Sequence, residues 1–263
     1  MNKIRTIIKK EWAEVFRNKL VLFTVGFLPL ILAAIPLVIL GAMGADSSLD
    51  QATSAFPEQF EAFCPEDLNS GECFQVYMVN QFMVMFMILP LAIPATISAY
   101  SIVGEKTTRS LEPLLATPIT TTELLVGKSL AALIPAVVAT YGAFLVFAIG
   151  SAFIVQNPSL LRALLDYRWL LAIAVLGPLM ALMAVNVSVM VSSRVNDPRV
   201  AEQISMIVIL PVMAFFFAQL AGLVVLNQNV VLIATVIVLT IDIILVRLAV
   251  RLFQRESILT RWR

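Results

Sequence analysis

The chain contains six apolar runs, each long enough to cross a lipid bilayer as a helix. They cover about 20–43, 76–103, 124–155, 169–191, 204–226 and 230–252. A hydrocarbon core of roughly 30 Å requires about 20 apolar residues in a helix, and backbone groups in lipid must be satisfied within a helix or a closed barrel. The sequence therefore predicts an all-α integral membrane fold, with six transmembrane helices forming one domain over residues 1–263.

Composition supports this class. Apolar residues make up 60% of the chain and charged residues 13%, with a mean hydropathy of +0.95. A typical soluble domain is about 25% charged. Six spans use nearly the whole chain, so no soluble catalytic or nucleic-acid-binding domain is expected.

The charges on the loops differ between the two sides of the membrane. Residues 44–75 carry seven acids and no Lys or Arg, and 16 of the 18 Lys and Arg fall on the segments that share a side with the amino terminus. Because cytoplasmic flanks retain Lys and Arg, both termini are predicted to be cytoplasmic. The loop at 44–75 is then extracytoplasmic, in a multi-pass protein of the cell membrane.

Residues 1–19 predict a helix in front of the first span. Apolar residues recur there at three- and four-residue spacing: Ile4, Ile7, Ile8, Trp12, Val15 and Phe16. An apolar face opposite Lys and Arg is typical of a helix that lies in the membrane interface, joined to the first span by a bend near Asn18. The alternative is a plain cytoplasmic extension of that span.

Both cysteines of the chain, Cys64 and Cys73, lie in the acidic loop. In an oxidising compartment a disulfide between them is the default expectation. The alternative is a metal site, but the chain has no histidine and two cysteines do not complete a zinc site.

The sequence gives little support for catalysis by this chain. Gly127-Lys128-Ser129 matches only the end of a phosphate-binding loop, whose first glycine would stand at Thr122. Lys128 is therefore interpreted as the inner boundary of the third span. Without histidine there is no Ser-His-Asp triad, so we expect no enzyme activity and no metal or cofactor in this chain.

The inner loop at 104–123 has the features of a docking surface. Leu111, Leu114 and Leu115 form an apolar stripe that ends before Pro118, among acids and bases of balanced charge. Thr120 with Glu123 three residues later predicts a capping box at the start of the third span.

This loop also resembles a known family. Gly104-Glu105-Lys106, Ser110-Leu111-Glu112, the run 114–119 and the run 123–128 resemble the first cytoplasmic loop of ABC transporter permeases of the type-2 exporter class. The resemblance covers about 25 residues, and the inner loop at 192–199 also matches.

The resemblance implies a permease that pairs with a second permease subunit, identical or related, in the membrane lipid. It also implies separate ATP-binding cassette ATPase subunits that bind ATP and magnesium. The first inner loop would be the coupling helix, with these residues transmitting closure of the ATPase: Glu105, Arg109, Leu111, Glu112, Leu114 and Leu115. The chain lacks the large domain that some members carry between spans one and two, so the substrate stays open.

Two other positions are candidate sites. Asp197 followed by Pro198 predicts a helix start, with Asp197, Arg199 and Glu202 either forming a second ATPase contact or serving only that start. Asp242 is the only acid inside an apolar run, and buried charge in a membrane is costly and usually partnered. It predicts either an interhelix bond or a role in translocation.

Two alternative functions remain. A secondary transporter or channel without an ATPase is favoured if Asp242 belongs to a proton or sodium relay. A membrane assembly subunit without transport of its own is the other.

Overall fold

The computed structural model describes residues 2–44, 68–107, 120–224 and 226–252, and the regular structure of these residues is helical throughout. Six helical segments in this part of the chain are long and apolar enough to cross a membrane. They are Val21–Met43, Ser70–Glu105, Thr122–Ile154, Pro158–Arg194, Pro198–Leu220 and Gln228–Ala249. The prediction of an all-α membrane fold with six spans is confirmed.

The α-helices of the described residues are α1 (Asn2–Val15), α2 (Lys19–Gly44), α3 (Ser70–Phe86), α4 (Leu89–Thr107), α5 (Thr121–Ile154), α6 (Pro158–Leu164), α7 (Tyr167–Leu171), α8 (Gly177–Arg194), α9 (Pro198–Ser205), α10 (Leu210–Leu220) and α11 (Gln228–Leu252). Span one is α2, span two joins α3 and α4, and span three is α5. Span four runs from α6 to α8, span five joins α9 and α10, and span six is α11.

Prolines explain why three spans are composite. The α-helix gives way to a turn at Met87–Ile88, a π turn at Ala172–Leu176 and a 3-10 turn at Met206–Ile209, each ending two residues before a proline: Pro90, Pro178 and Pro211. Proline has no N–H to donate and its ring clashes with the carbonyl four residues earlier. The preceding turn therefore rearranges, while proline is tolerated in the first turn of the helix that follows.

Span two forms the centre of the bundle. In its most apolar stretch 83% of the residues are buried by the chain itself, against 11% for span six. Span six packs by one narrow face, which includes Val231, Asp242 and Ala249, while Val236 and Ile244 on its other side are exposed. Those exposed side chains are left to contact lipid or another subunit.

Several predicted boundaries need correction. Span five ends at Leu220, not at 226, because the chain turns at Gly222, where φ is 71°. Span two begins at Ser70, inside the predicted loop, because Glu72 accepts a hydrogen bond from the backbone N–H of Asn69 at 3.1 Å and so caps the helix. The bend near Asn18 is confirmed between α1 and α2.

Cys73 lies in the first turn of α3 and is buried. Cys64 lies outside the described residues, so the Cys64–Cys73 bond stays a prediction.

Candidate functional site

The helix α1 packs against the carboxyl end of α4 and the amino end of α5. We call this region the α1 end of the bundle. Ile7, Glu11 and Val15 follow one another at four-residue spacing on its inner face, and each is at least 94% buried, with Glu11 only 2% exposed. The face predicted to meet lipid is therefore buried in part against protein, with a carboxylate at its centre.

A close helix contact sets the position of α1. A Cβ atom at Gly127 would lie 2.8 Å from Cγ2 and 3.0 Å from Cβ of Ile7. Real Cβ contacts do not come so close, and Ile7 is branched at Cβ with little freedom to move away. Gly127 thus permits α1 to rest directly on span three.

Glu11 accepts hydrogen bonds from two side chains at the α1 end. Lys128 Nζ donates to Glu11 Oε1 at 2.8 Å, and Ser101 on span two also donates its hydroxyl to the Glu11 carboxylate. Lys128 Nζ lies 3.0 Å from the Ser101 hydroxyl as well. One carboxylate therefore connects α1 with spans two and three.

Glu105 completes a buried set of charges. Its Oε2 lies 2.7 Å from Lys128 Nζ, and its other oxygen accepts a hydrogen bond from Lys10. We call Lys10, Glu11, Glu105 and Lys128 the ion cluster. Three of the four side chains are about 95% or more buried and two positive charges face two negative ones, so the desolvation cost of each ion is offset by its partners.

The fourth member, Lys10, lies at the edge of the cluster and outside the spans. Burial alone would lower the pKa of Lys10, but the hydrogen bond and negative charge of Glu105 outweigh it and raise that pKa above its ordinary value. Since the folded pKa is the higher one, this contribution to stability is fully present below the ordinary pKa of lysine and is lost only at more alkaline pH. The cluster therefore keeps its charge on Lys10 at neutral pH.

Trp12 adds a neutral contact between α1 and span three. Its indole Nε1 donates to the carbonyl of Ala131 at 2.9 Å. That carbonyl has no helical partner, because the residue four positions later is Pro135. An indole from α1 thus satisfies the acceptor that the proline leaves open, as membrane helices require.

The contacts of the α1 end fix both ends of the 104–123 loop. Glu105 stands at its start and Lys128 five residues after its end. The predicted capping box is confirmed, since Glu123 N donates to Thr120 Oγ1 at 3.2 Å and Thr120 N donates to Glu123 Oε2 at 2.9 Å. Arg109, Leu111, Glu112, Leu114 and Leu115 lie outside the described residues, so their role stays a prediction. Glu105 is buried in the ion cluster, and its role in coupling also stays a prediction.

The second inner loop is built as a helix start. Asp197 accepts hydrogen bonds from the N–H groups of Arg199 and Val200, with Pro198 in the first turn, which confirms the predicted N-cap. Arg199 is exposed. Glu202 instead lies against span two, where the buried Thr96 hydroxyl donates to it at 2.7 Å.

Asp242 is 2% exposed, and neither of its carboxylate oxygens has a hydrogen-bond partner among the described residues. The predicted interhelix bond is therefore not present there. The acid lies on the one face by which span six packs against the bundle. Its role in translocation stays a prediction.

Three members of the ion cluster, Lys10, Glu11 and Lys128, were missed as site residues from the sequence. Glu11 carries a detectable signal, because it lies midway between Ile7 and Val15 on the apolar stripe, where an acid is out of place. Lys128 offers no such signal. Its position near the start of the third apolar run fits an interfacial lysine equally well, and its partner Glu11 stands 117 residues away.

Comparison with known families places most of the chain in one of them. The family model described as ABC-2 family transporter protein matches residues 5–257. This range includes the ion cluster, both inner loops and Asp242. No curated protein matches the chain.

Proposed function

This chain belongs to the ABC-2 transporter family, and we propose on that premise that it is the permease subunit of an ATP-binding cassette exporter. The family is one of membrane subunits that are not themselves catalytic. Such a subunit associates with an ATPase that supplies the hydrolysis. In our proposal two ATPase subunits and a second permease, identical or related, complete the exporter.

The observation that carries the proposal is the ion cluster at the two ends of the 104–123 loop. Glu105 stands at the start of the loop and Lys128 follows its end, and both are paired with α1. A movement of the loop would displace α1, span two and span three together, because separating the ion pairs between these helices would leave a buried ion unpaired. A coupling element has to transmit movement in this way.

The loop itself supplies the partner surface in this proposal. Leu111, Leu114 and Leu115 would insert in a groove of the ATPase, with Arg109 and Glu112 forming polar contacts around them. Asp197 and Arg199 at the start of α9 provide a second, smaller contact, while Glu202 is held by span two. A few buried anchors usually contribute most of the binding energy at such an interface.

The proposal is tested by co-purifying the permease with the Walker-motif ATPase expressed beside it. Leu111→Ala and Glu112→Lys should each weaken association by about 1–3 kcal/mol per buried anchor. Thr122→Ala, at an exposed position near the carboxyl end of the loop, is the matched control and should bind normally. Full association and coupled ATP turnover in the Leu111 and Glu112 variants would mean that the loop is only a connector.

Asp242 favours a second candidate, an ATP-independent transporter that moves a proton or cation through the bundle. A buried acid in a span is a functional position by default. Transport driven by an ion gradient in liposomes without any ATPase would support this candidate. Transport that requires ATP and persists in Asp242→Asn would exclude it.

A further inference from the structure

We propose that the cleft between spans five and six binds one acyl chain of an anionic phospholipid, with the headgroup phosphate at Arg168. The cleft has a volume of about 300 Å³, at the lower end of the range of small-ligand sites. The ligand is a bound lipid of the surrounding leaflet. The inference therefore goes beyond the proposed function and does not depend on ATPase coupling.

The walls of the cleft select an apolar occupant. Its lining includes Trp169, Val212, Phe215, Val231 and Ala234, and the remaining side chains are also apolar. A buried water needs two to four polar partners, which these walls do not offer. The indole of Trp169 is held in place because its Nε1 donates to Asn80 Oδ1 at 2.7 Å, so this wall is preformed.

The depth of the cleft matches one leaflet. Tyr167 is 59% exposed next to Arg168 and Trp169, a grouping typical of the membrane–water interface. From Val231 near this level the lining continues to Ile241, which is roughly 15 Å along a helix. That distance is half of a hydrocarbon core of roughly 30 Å, the reach of a single acyl chain.

The cleft can be entered from the side. Ile237 lines it and is 52% exposed on the outer surface of span six. A lipid chain can enter laterally by this route. A helix of a second copy, about 10 Å across with its side chains, is too thick to occupy a cleft of this volume and depth.

Charge complementarity at the mouth indicates the headgroup. Arg168 Nη1 donates to the carbonyl of Leu226 at 3.0 Å, and Leu226 lines the cleft. Arg168 Nε is bonded to Asp166, which leaves Nη2 of the guanidinium for a phosphate oxygen. Because Asp166 offsets part of the positive charge, we expect a preference of a few fold for an anionic over a zwitterionic lipid, not an absolute requirement.

The test uses the full chain in detergent with phosphatidylglycerol that carries a diazirine in the middle of one acyl chain. After illumination, mass spectrometry should find saturable adducts on cleft-lining peptides, competed by unlabelled phosphatidylglycerol. Ala234→Phe fills the cleft and should reduce these adducts at least about threefold. Val236→Phe, on the exposed face of the same helix, should leave them unchanged.

A second filling variant, a second headgroup and a variant of Arg168 complete the test. Val212→Phe fills the cleft from span five, so the test survives if the Ala234 variant does not fold. The same probe with a phosphatidylcholine headgroup should label the cleft a few fold less, and Arg168→Gln should remove that difference. Adducts only on exposed residues, no effect of either filling variant, or a second copy cross-linked across the cleft would overturn the proposal.

Discussion

Lys128 is a buried lysine that pairs with two buried carboxylates. It is only 5% exposed and lies 2.8 Å from Glu11 and 2.7 Å from Glu105. A buried ammonium is tolerated only with partners of this quality, and removal of one partner leaves the others uncompensated. The stability of the α1 end therefore depends on the whole ion cluster rather than on any one pair.

Lys128→Met should lower the free energy of unfolding by about 3–5 kcal/mol, because it leaves two buried carboxylates with Lys10 alone. Glu11→Gln combined with Lys128→Met should cost clearly less than the sum of the two single changes. Denaturant unfolding in detergent measures the cycle. Strict additivity would show that the two side chains do not interact.

Asp242 presents the opposite situation, an acid with no hydrogen-bond partner among the described residues. Asp242→Leu should raise the thermal unfolding temperature in detergent, because it removes an unsatisfied polar group from a packing face. Thr240→Leu changes an exposed position of the same helix and should have little effect. A lower unfolding temperature for Asp242→Leu would reveal a stabilising partner for the acid.

At the scale of the helix, prolines create acceptors that neighbouring elements satisfy. Pro135 leaves the Ala131 carbonyl to Trp12. Pro178 likewise stands four residues after Ala174, whose carbonyl accepts a hydrogen bond from the Tyr141 hydroxyl at 3.0 Å. These bonds hold bent helices in one arrangement, so the prolines here position elements as well as bend them.

Trp12→Phe keeps the aromatic ring but removes the indole donor, so the Ala131 carbonyl loses its partner. We expect a loss of about 1–3 kcal/mol in stability and faster amide exchange in α1. Tyr141→Phe makes the same kind of change at a more exposed site and should cost less. Equal unfolding temperatures for Trp12→Phe and the unchanged protein would contradict this role.

Gly127 and Gly150 both permit close helix contacts, but the two positions should differ in how well they tolerate alanine. Gly127→Ala should displace α1, because the new methyl group meets the branched Ile7 at 2.8 Å. Gly150→Ala meets the far end of Leu37 at 2.6 Å, a flexible side chain that can rotate away. Protease accessibility of α1 should therefore rise in the Gly127 variant and stay unchanged in the Gly150 variant.

Over the whole molecule, features set by neighbouring residues were predictable from the sequence. The spans follow from apolar length, and the capping box at Thr120 and the N-cap at Asp197 follow from local hydrogen bonding. Glu11 and Lys128 could not be paired in this way, because they come together only when α1 folds back on span three. The packing of helices decides such contacts, and no short motif encodes it.

The functional predictions also divide into those that depend on neighbouring residues and those that depend on helix packing. The 104–123 loop could be predicted as a docking surface because its stripe and charges are adjacent in the chain, and that role stays a prediction. Its mechanical attachment could not be predicted, because the attachment depends on α1 and span two as well as span three. In our proposal the partner surface therefore lies on the loop, and the ion cluster transmits its movement to the spans.

Transmission through the ion cluster is tested by ATP turnover of the assembled transporter in two variants of Lys128. Lys128→Arg retains the charge and should keep most coupled turnover. Lys128→Met should still insert in the membrane and bind the ATPase, but lose at least about tenfold in coupled turnover. Lys9→Met, at an exposed position of α1, controls for loss of a lysine. Normal coupled turnover in Lys128→Met, with intact assembly, would contradict transmission through the ion cluster.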